Sequence, residues 1–290
     1  MKAGARHWIR RGIILVLLVT AGISIGVVIQ STLLERQSQE QLKQLQQIYQ
    51  GSGSSTAPSS EGAPQQPYAN PQFAELLAIN PDLVGWLEFG ELSAPVVQTD
   101  DNDYYLKHDF YRRPDPHGAV YADARNRLDG SDDNTILYGH NYSNSKQIFY
   151  EVERYKEADY ARQHPIVTFT TLYEKRSYVV LAAFVSNTDP KLGEVFDYHN
   201  QLFFSTDKEM NSFLEQLRAR SLYSTNLAVD SHDRLITMST CGYEFAGERI
   251  VLVARELRKN ETSQLLAQVT YDRNPAPVMP EIWETLYGKK

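Results

Sequence analysis

Leu235-Ile-Thr-Met-Ser-Thr-Cys241 decides how this chain is interpreted, because a strand-like run of β-branched and apolar residues ends there on a cysteine. It is the only cysteine in 290 residues. One cysteine cannot form an intramolecular disulfide, nor a zinc site built from several thiolates of one chain. Two interpretations therefore remain open: a small buried hydrophobe, which free cysteine commonly is, or a reactive thiol.

Seven other short runs share this strand-like composition, and most are bounded by Gly, Pro, Asn or Asp. Eight strands of this kind predict a mainly β fold that closes, or nearly closes, into a β-barrel. The predicted strands are 84–89, 94–98, 119–122, 135–138, 166–171, 176–185, 235–240 and 250–254.

Three helices are predicted within the same part of the chain. Asn70 as the cap and Pro71 in the first turn favour a short helix over 70–79 at the start of the domain. The charged, periodic stretch 146–161 predicts a second helix. The stretch 207–220 predicts a third, inserted before the Cys241 strand, with one apolar face. Beyond it, a proline-containing tail over 259–290 favours extended backbone, and its role cannot be deduced from the sequence.

The N-terminus predicts a single-pass membrane anchor. Residues 1–11 are basic, and no charged residue occurs in 12–34, which is long enough to span a bilayer. The basic flank places the N-terminus in the cytoplasm and the rest of the chain outside. A cleaved signal peptide is the alternative; against it, the apolar segment exceeds an ordinary signal and lacks a clear Ala-x-Ala site.

Residues 35–70 are predicted to be a stalk followed by a flexible linker. Leu42, Leu45 and Ile48 lie at helical spacing in a Gln- and Glu-rich stretch, which favours a solvated helix over a short coiled-coil dimer. Gly, Ser, Pro, Ala and Gln dominate from residue 51 onward, as in a tether. The folded domain is then expected over 71–258, followed by a C-terminal extension over 259–290.

Charge and cysteine usage restrict the partners and the compartment. The formal net charge is −7, and no basic stripe suits a phosphate backbone, which argues against nucleic acid as a partner. An external domain without disulfides must rely on its hydrophobic core. That is compatible with a surface protein of a bacterium that has a single membrane.

A reactive cysteine needs a thiolate and a nearby base or positive charge. His140 emerges from the strand Thr135-Ile-Leu-Tyr through Gly139, which aims its side chain at the rim of a barrel, although a structural histidine is the alternative. Arg249 follows Cys241 after a hairpin-sized connection, where a guanidinium can favour the thiolate and bind an oxyanion. The alternative is a surface arginine paired with Glu244 or Glu248. His7 falls on the cytoplasmic side, and the other histidines lie in polar loops: His108, His117, His164, His199 and His232.

Several blocks occur in one order along the chain: Pro81-Asp-Leu-Val-Gly-Trp-Leu87, Pro95-Val-Val-Gln98 with Asp101-Asn-Asp-Tyr-Tyr-Leu106, Gly118-Ala-Val-Tyr-Ala-Asp-Ala-Arg125, Leu137-Tyr-Gly-His-Asn141 and Thr237-Met-Ser-Thr-Cys241. With Arg249 after them, these blocks resemble the sortase family of cysteine transpeptidases, in particular its class B. Met238 stands where the family's Thr-Leu-x-Thr-Cys signature has leucine, which is a volume-conserving exchange. The helix over 207–220 is what suggests class B.

The resemblance implies an eight-stranded sortase-type barrel and a role for each matched residue. Cys241 would be the nucleophile, His140 the general acid and then the base, and Arg249 the group that stabilises the oxyanion and the bound peptide. Ser239, Asn102 and Leu106 would line the substrate groove. The resemblance implies no cofactor and no metal.

The reaction implied by the resemblance consists of two acyl transfers. A sorting motif similar to Asn-Pro-x-Thr, carried by a surface protein or pilin, would be cleaved after its threonine to give a thioacyl-enzyme. An amine of a cell-wall precursor or of a pilin would then accept the acyl group. Two alternatives remain: an L,D-transpeptidase, whose arginine lies almost directly after its cysteine, where this chain has Gly242 and Tyr243, and a catalytically inactive surface-binding module.

Overall fold

The computed structural model describes residues 2–52, 70–142, 147–261 and 266–288. These form two compact units, one ending at Gln44 and the other beginning at Leu45. The first unit is a single helix, and its apolar side chains are exposed over 12–34. By length and composition this helix can cross a membrane, with a mean hydropathy of 2.8 in its most apolar window.

The helices are α1 (Lys2–Ser52), α2 (Ala74–Ile79), α3 (Tyr150–Arg154), α4 (Ala158–Gln163), α5 (Asp207–Arg220) and α6 (Glu281–Tyr287). The strands are β1 (Leu83–Phe89), β2 (Leu92–Val97), β3 (Val120–Ala122), β4 (Asn134–Tyr138), β5 (Asn141–Tyr142), β6 (Gln147–Ile148), β7 (Ile166–Thr171), β8 (Lys175–Asn187), β9 (Tyr223–Thr225), β10 (Leu235–Cys241), β11 (Glu248–Glu256) and β12 (Tyr271–Arg273).

Eight strands close into a barrel in the order β1-β2-β3-β4-β10-β11-β8-β7. They coincide with the eight strands predicted from the sequence, so the predicted barrel is confirmed. Neighbouring strands are antiparallel except for the pairs β2–β3 and β4–β10, which are parallel. The parallel pair β4–β10 matters for the site, because it brings the carboxyl ends of two distant segments to the same edge of the barrel.

The strands β10 and β11 are buried on both faces along most of their length. Leu235, Val251 and Val253 pack in one cluster with the buried face of α5. That helix begins at Thr206, whose hydroxyl accepts a hydrogen bond from the backbone N–H of Glu209, as a helix cap does. The predicted helical insertion before the Cys241 strand is therefore confirmed.

The end of α1 belongs to the second unit, which differs from the predicted solvated stalk. Leu45 and Tyr49 are buried, and the ring of Tyr49 stacks on Trp86 with centroids 4.2 Å apart. The side-chain amide of Gln46 also donates to the carbonyl of Ser93 at 2.7 Å. Leu45 and Ile48, two of the apolar residues whose spacing was noted in the sequence, thus pack on the barrel. Most of the predicted linker, 53–69, lies outside the described residues.

Two further predictions need correction. The single helix predicted over 146–161 is two short helices, α3 and α4, because Glu157 is extended between them and the buried Tyr155 hydroxyl donates to the carbonyl of His164 at 2.9 Å. Residue 146 itself is outside the described part of the chain. The C-terminal extension is not merely extended: β12 pairs with β9, and α6 follows.

Candidate active site

The hairpin β10–β11 places Cys241 directly opposite Arg249. The antiparallel register pairs these two residues, just as it pairs Ser239 with Val251. Side chains of directly opposed residues lie on the same face, with Cβ atoms about 5 Å apart. Thiol and guanidinium therefore share one face at the end of the hairpin, as the short connection between them predicts.

His140 reaches the same place through the parallel pairing of β4 with β10. Tyr138 is in register with Ser239, and both strands run in the same direction. His140 comes two residues after Tyr138, just beyond the end of β4, and Cys241 comes two residues after Ser239, so the two chain segments reach the same edge of the barrel. Neighbouring contacts fix this edge, since the Thr240 hydroxyl donates to the carbonyl of Gly139 at 2.7 Å.

The imidazole of His140 is held by the backbone of Leu106. Its Nε2 lies 2.8 Å from the carbonyl oxygen of Leu106. A carbonyl only accepts hydrogen bonds, so Nε2 carries a proton and the neutral ring presents its lone pair at Nδ1. Tyr142 packs edge-on against the imidazole with ring centroids 5.6 Å apart. The histidine is thus oriented by its surroundings, and Nδ1 remains for chemistry.

Asn141, for which no role was predicted, connects the segment of the histidine to the strand of the cysteine. Its side-chain amide donates to the carbonyl of Cys241 at 3.2 Å and to a carboxylate oxygen of Glu153 at 2.6 Å. Gly139, directly before His140, is required by packing, because a Cβ there would lie 2.8 Å from a methyl group of Ile148. Only the structure reveals these contacts, because Glu153 belongs to a helix that covers this end of the barrel.

Arg249 keeps its charge available. One guanidinium nitrogen donates to the backbone carbonyl of Glu248 at 2.9 Å. Among the described residues no carboxylate lies within ion-pair distance of it, so the pairing with Glu244 or Glu248 considered above does not occur. An unpaired guanidinium beside a thiol suits a negatively charged sulfur or a developing oxyanion.

Known proteins share this arrangement of strands and sequence. The family model of the sortase domain matches residues 88–257. The sortase B of Staphylococcus aureus (strain NCTC 8325 / PS 47) is 31% identical over 251 residues, which cover 85% of this chain and 96% of that protein. The chain belongs to the sortase family, in class B.

The sortase B of Listeria monocytogenes is 30% identical over 175 residues, covering 60% of this chain and 68% of its own. Among solved structures, a Staphylococcus aureus sortase B–substrate complex is 30% identical with a TM-score of 0.66, covering 78% of this chain and 98% of that one. A Bacillus anthracis protein similar to sortase B is 29% identical with a TM-score of 0.65 and the same coverage. The chain is accordingly a sortase-type cysteine transpeptidase, which sets the L,D-transpeptidase interpretation aside.

The three residues expected to line the groove of this class B sortase occupy different settings. Leu106 holds His140 through its carbonyl. Ser239 is 3% exposed, and its hydroxyl lies 2.7 Å from that of Tyr198. Asn102 accepts a hydrogen bond from the backbone N–H of Ala124 at 2.8 Å. The structure thus connects Leu106 directly to His140 and places Ser239 on the face of Cys241, while Asn102 shapes the backbone between β2 and β4.

Tyrosines surround the thiol of this sortase, and the sequence did not single them out. Burial, followed by the charges of Tyr243, Asp115 and Cys241, raises the pKa of Tyr142 to about 12. Burial likewise raises the pKa of Tyr198 and of Tyr243. These phenols are therefore neutral over the physiological range and provide a wall without charge. Across the described residues, no cluster of His, Cys, Asp or Glu is arranged to hold a metal ion.

Glu248 directly precedes Arg249 in the chain and is buried, with 1% of its surface exposed. One oxygen accepts from the backbone N–H of Glu244 at 2.7 Å, while the other has no hydrogen-bond partner in the described structure. Burial is the main cause of its raised pKa; the hydrogen bond from Glu244 opposes it. The native state therefore holds this proton to a higher pH than the unfolded chain does.

Glu248→Gln is expected to stabilise the protein increasingly as the pH rises. Because the folded pKa lies above the unfolded value of about 4.3, the wild type loses stability as the pH increases through that window. Glutamine cannot ionise, so the free energy of unfolding of the variant relative to the wild type should rise by about 1–3 kcal/mol between pH 4 and pH 8, the cost of a buried unsatisfied charge. Urea unfolding between pH 4 and pH 8 measures the difference. Glu215→Gln on the exposed side of α5 is the control, and parallel curves for wild type and Glu248→Gln would contradict the interpretation.

Proposed function

We propose that this class B sortase cleaves a C-terminal sorting motif similar to Asn-Pro-x-Thr after its threonine and transfers the protein to an amine of a cell-wall precursor or of a pilin. The register of Cys241 with Arg249, with His140 at the end of the adjacent parallel strand, carries this proposal. The sorting motif and the amine acceptor are those implied by the resemblance of the matched blocks.

The first half of the reaction forms a thioacyl-enzyme. The thiolate of Cys241 attacks the carbonyl carbon of the threonine, and the carbonyl oxygen becomes an oxyanion. Protonated His140 donates from Nδ1 to the departing amine, because Nε2 is held by the carbonyl of Leu106. The C–N bond breaks, and the sorting signal beyond the threonine leaves.

Arg249 stabilises two negatively charged groups of that step, the thiolate of Cys241 before the attack and the oxyanion that the attack produces. Its guanidinium lies on the same face as Cys241 and donates one hydrogen bond to the carbonyl of Glu248. Its other N–H groups remain available to the substrate. A fixed donor directed at the developing oxyanion requires no reorganisation during the reaction. Positioning residues support it: Asn141 holds the carbonyl of Cys241, and Glu153 holds Asn141.

The second half of the reaction releases the product. An incoming amine attacks the thioacyl carbonyl, now-neutral His140 accepts its proton at Nδ1, and the C–S bond breaks to regenerate the thiolate of Cys241. The sorting peptide would contact Ser239, Asn102 and Leu106. The Staphylococcus aureus relative has been solved with a substrate, which supports peptide binding at the corresponding surface here.

The N-terminal helix supports a membrane location. We assign 1–11 to the cytoplasm, 12–34 to the bilayer and the catalytic domain to the outside, because basic residues flank the apolar segment on its N-terminal side. Residues 35–70 would connect the anchor to a catalytic domain over 71–258, followed by the extension over 259–290. Enzyme and membrane-bound substrates would then meet at one membrane face.

A peptide panel tests the proposed substrate. Peptides with Asn-Pro-x-Thr, Ser-Pro-x-Thr and Leu-Pro-x-Thr motifs are incubated with the protein without an acceptor, and intact-protein mass spectrometry records the adduct on Cys241. An adduct with the mass of the peptide up to its threonine, accumulating at least tenfold faster with the Asn-Pro peptide, is expected. An adduct only with the Leu-Pro peptide would overturn the assigned motif, and no adduct with any of the peptides would overturn the proposed function.

A further inference from the structure

The C-terminal extension of this sortase is built into the catalytic domain. After β12 pairs with β9, the backbone N–H of Asn274 donates to the carbonyl of Leu222 at 2.9 Å, and that of Val278 donates to the carbonyl of Ala219 at 2.9 Å. The extension lies beyond the residues matched by the family model, which end at 257. The family match therefore does not include its contacts.

The last helix of the extension reaches two loops beside the catalytic residues. The hydroxyl of Tyr287 in α6 hydrogen-bonds to the carboxylate of Glu244, in the β10–β11 loop. At the start of α6, Glu281 lies against Gly193 in the connection from β8 to α5. A Cβ on Gly193 would come within 2.8 Å of the backbone nitrogen of Glu281. The extension thus connects the loop after Cys241 with the loop before α5.

Between the extension and α4 lies a cavity of about 990 Å³. That volume is at the upper end of the range for small-molecule sites and suits a short peptide. Its apolar wall includes Pro277, Met279 and Trp283, and its polar wall includes Lys156 and Glu244.

Two chains of contacts link this cavity to the reacting centre. Glu244 is three residues after Cys241 in the loop that leads to Arg249. Lys156 lies 3.9 Å from the carboxylate of Glu244 and 3.5 Å from that of Glu153. Glu153 in turn accepts from Asn141, which donates to the carbonyl of Cys241. The polar wall of the cavity is therefore continuous with the residues that hold the nucleophile.

The charges that line the cavity favour a cationic ligand. Its lining carries three cations, Lys156, Arg162 and Arg273, against six carboxylates, those of Glu157, Asp159, Glu244, Asp272, Glu281 and Glu284. Arg162 is already engaged by Asp159 and by the carbonyl of Tyr271. In contrast, the carboxylates of Glu157, Asp272 and Glu281 make no hydrogen bond or ion pair within the described residues. The indole of Trp283 adds a ring face on which an ammonium group can rest.

We propose that this cavity binds the acceptor of the second acyl transfer, a short peptide that carries a primary amine. The inference rests on the proposed function, because it requires a thioacyl-enzyme that an amine resolves. The three carboxylates hold cationic groups of the acceptor and raise its local concentration beside Cys241. The reacting amine loses its proton to Nδ1 of His140 as its nitrogen bonds to the thioacyl carbon and the C–S bond breaks.

The test separates the two half-reactions in the full-length protein. The thioacyl-enzyme formed with the Asn-Pro-x-Thr peptide is resolved either by the lysine peptide acetyl-lysyl-alanyl-lysine amide, in which one ammonium can stay on the carboxylates while the other amine reacts, or by hydroxylamine, a small nucleophile that needs no binding site. In the combined variant Glu157→Gln, Asp272→Asn and Glu281→Gln, we expect half-saturation by the lysine peptide at an approximately tenfold higher concentration, since each exposed ion pair contributes a factor of about two to five. Thioacylation and resolution by hydroxylamine should stay within about twofold of the wild type.

Two further variants make the outcome decisive. Ala276→Trp fills the cavity from its exposed side without changing its charge and should also weaken saturation by the lysine peptide. Glu215→Gln removes an exposed carboxylate on α5, outside the cavity, and should leave saturation unchanged. The proposal is overturned if half-saturation by the lysine peptide is unchanged in the combined variant and in Ala276→Trp, or if Glu215→Gln shifts it equally. It is also overturned if resolution by hydroxylamine falls in parallel with resolution by the lysine peptide. Absence of any thioacyl-enzyme in the wild type would instead refute the proposed function.

Discussion

Replacing Cys241 with alanine is expected to eliminate the thioacyl adduct and to reduce cleavage of the sorting peptide by a factor of about 10⁴ or more, as the loss of a covalent nucleophile does in other enzymes. No other thiol exists in the chain to substitute for it. Liquid chromatography of the cleaved peptide, together with intact-protein mass spectrometry, measures both effects.

The same variant distinguishes a transpeptidase from an inactive binding module. Cys241 lies at the edge of the barrel and is only partly buried, so alanine there should leave the unfolding transition within a few degrees of the wild type. Peptide binding by calorimetry should survive, because the groove residues are unchanged. Cleavage that persisted in Cys241→Ala would contradict the role of this thiol, and a wild type that bound the peptide without turning it over would favour the module.

The barrel could be predicted from the sequence because its strands are locally marked. Runs of β-branched and apolar residues end at turn residues, and the hairpin from Cys241 to Arg249 is short enough to impose its own register. The eight predicted strands therefore became the eight strands of the barrel. The helical face of α5 was equally visible, since its buried residues recur at helical spacing.

The position of His140 beside Cys241 could not be derived in that way. It depends on the parallel pairing of β4 with β10, two strands almost a hundred residues apart. Neither spacing nor composition specifies which strands become neighbours in a barrel, so the sequence suggested this juxtaposition only through the resemblance to a family. The hydrogen bond from His140 to the carbonyl of Leu106 could not be predicted either, because every residue has a backbone carbonyl and its partner depends on the fold.

Other features depended on tertiary contacts that override local preference. The spacing of Leu42, Leu45 and Ile48 was compatible with a solvated helix, but the barrel offers Trp86 as a surface on which Tyr49 stacks. Proline residues in the C-terminal extension suggested extended backbone, whereas pairing of β12 with β9 and the contact of Tyr287 with Glu244 give it structure. Local patterns do not encode a partner that lies far away in the chain.

Arg249→Lys is expected to lower the rate of thioacylation by a factor of about 10²–10³, although the positive charge is retained. The wild-type guanidinium uses one N–H on the carbonyl of Glu248 and still has donors for the oxyanion, whereas an ammonium lacks this planar fork. If Arg249 only favoured the thiolate, lysine would serve nearly as well.

Alkylation of Cys241 by iodoacetamide at pH 7 measures how much of the thiol is present as thiolate. We expect the alkylation rate of Arg249→Lys to stay within about threefold of the wild type, as the retained charge predicts. Arg234→Lys, an exposed arginine at the other end of the Cys241 strand, is the matched control. Equal losses in alkylation and thioacylation would assign Arg249 to thiolate formation alone, and an unchanged thioacylation rate would remove it from the catalytic residues.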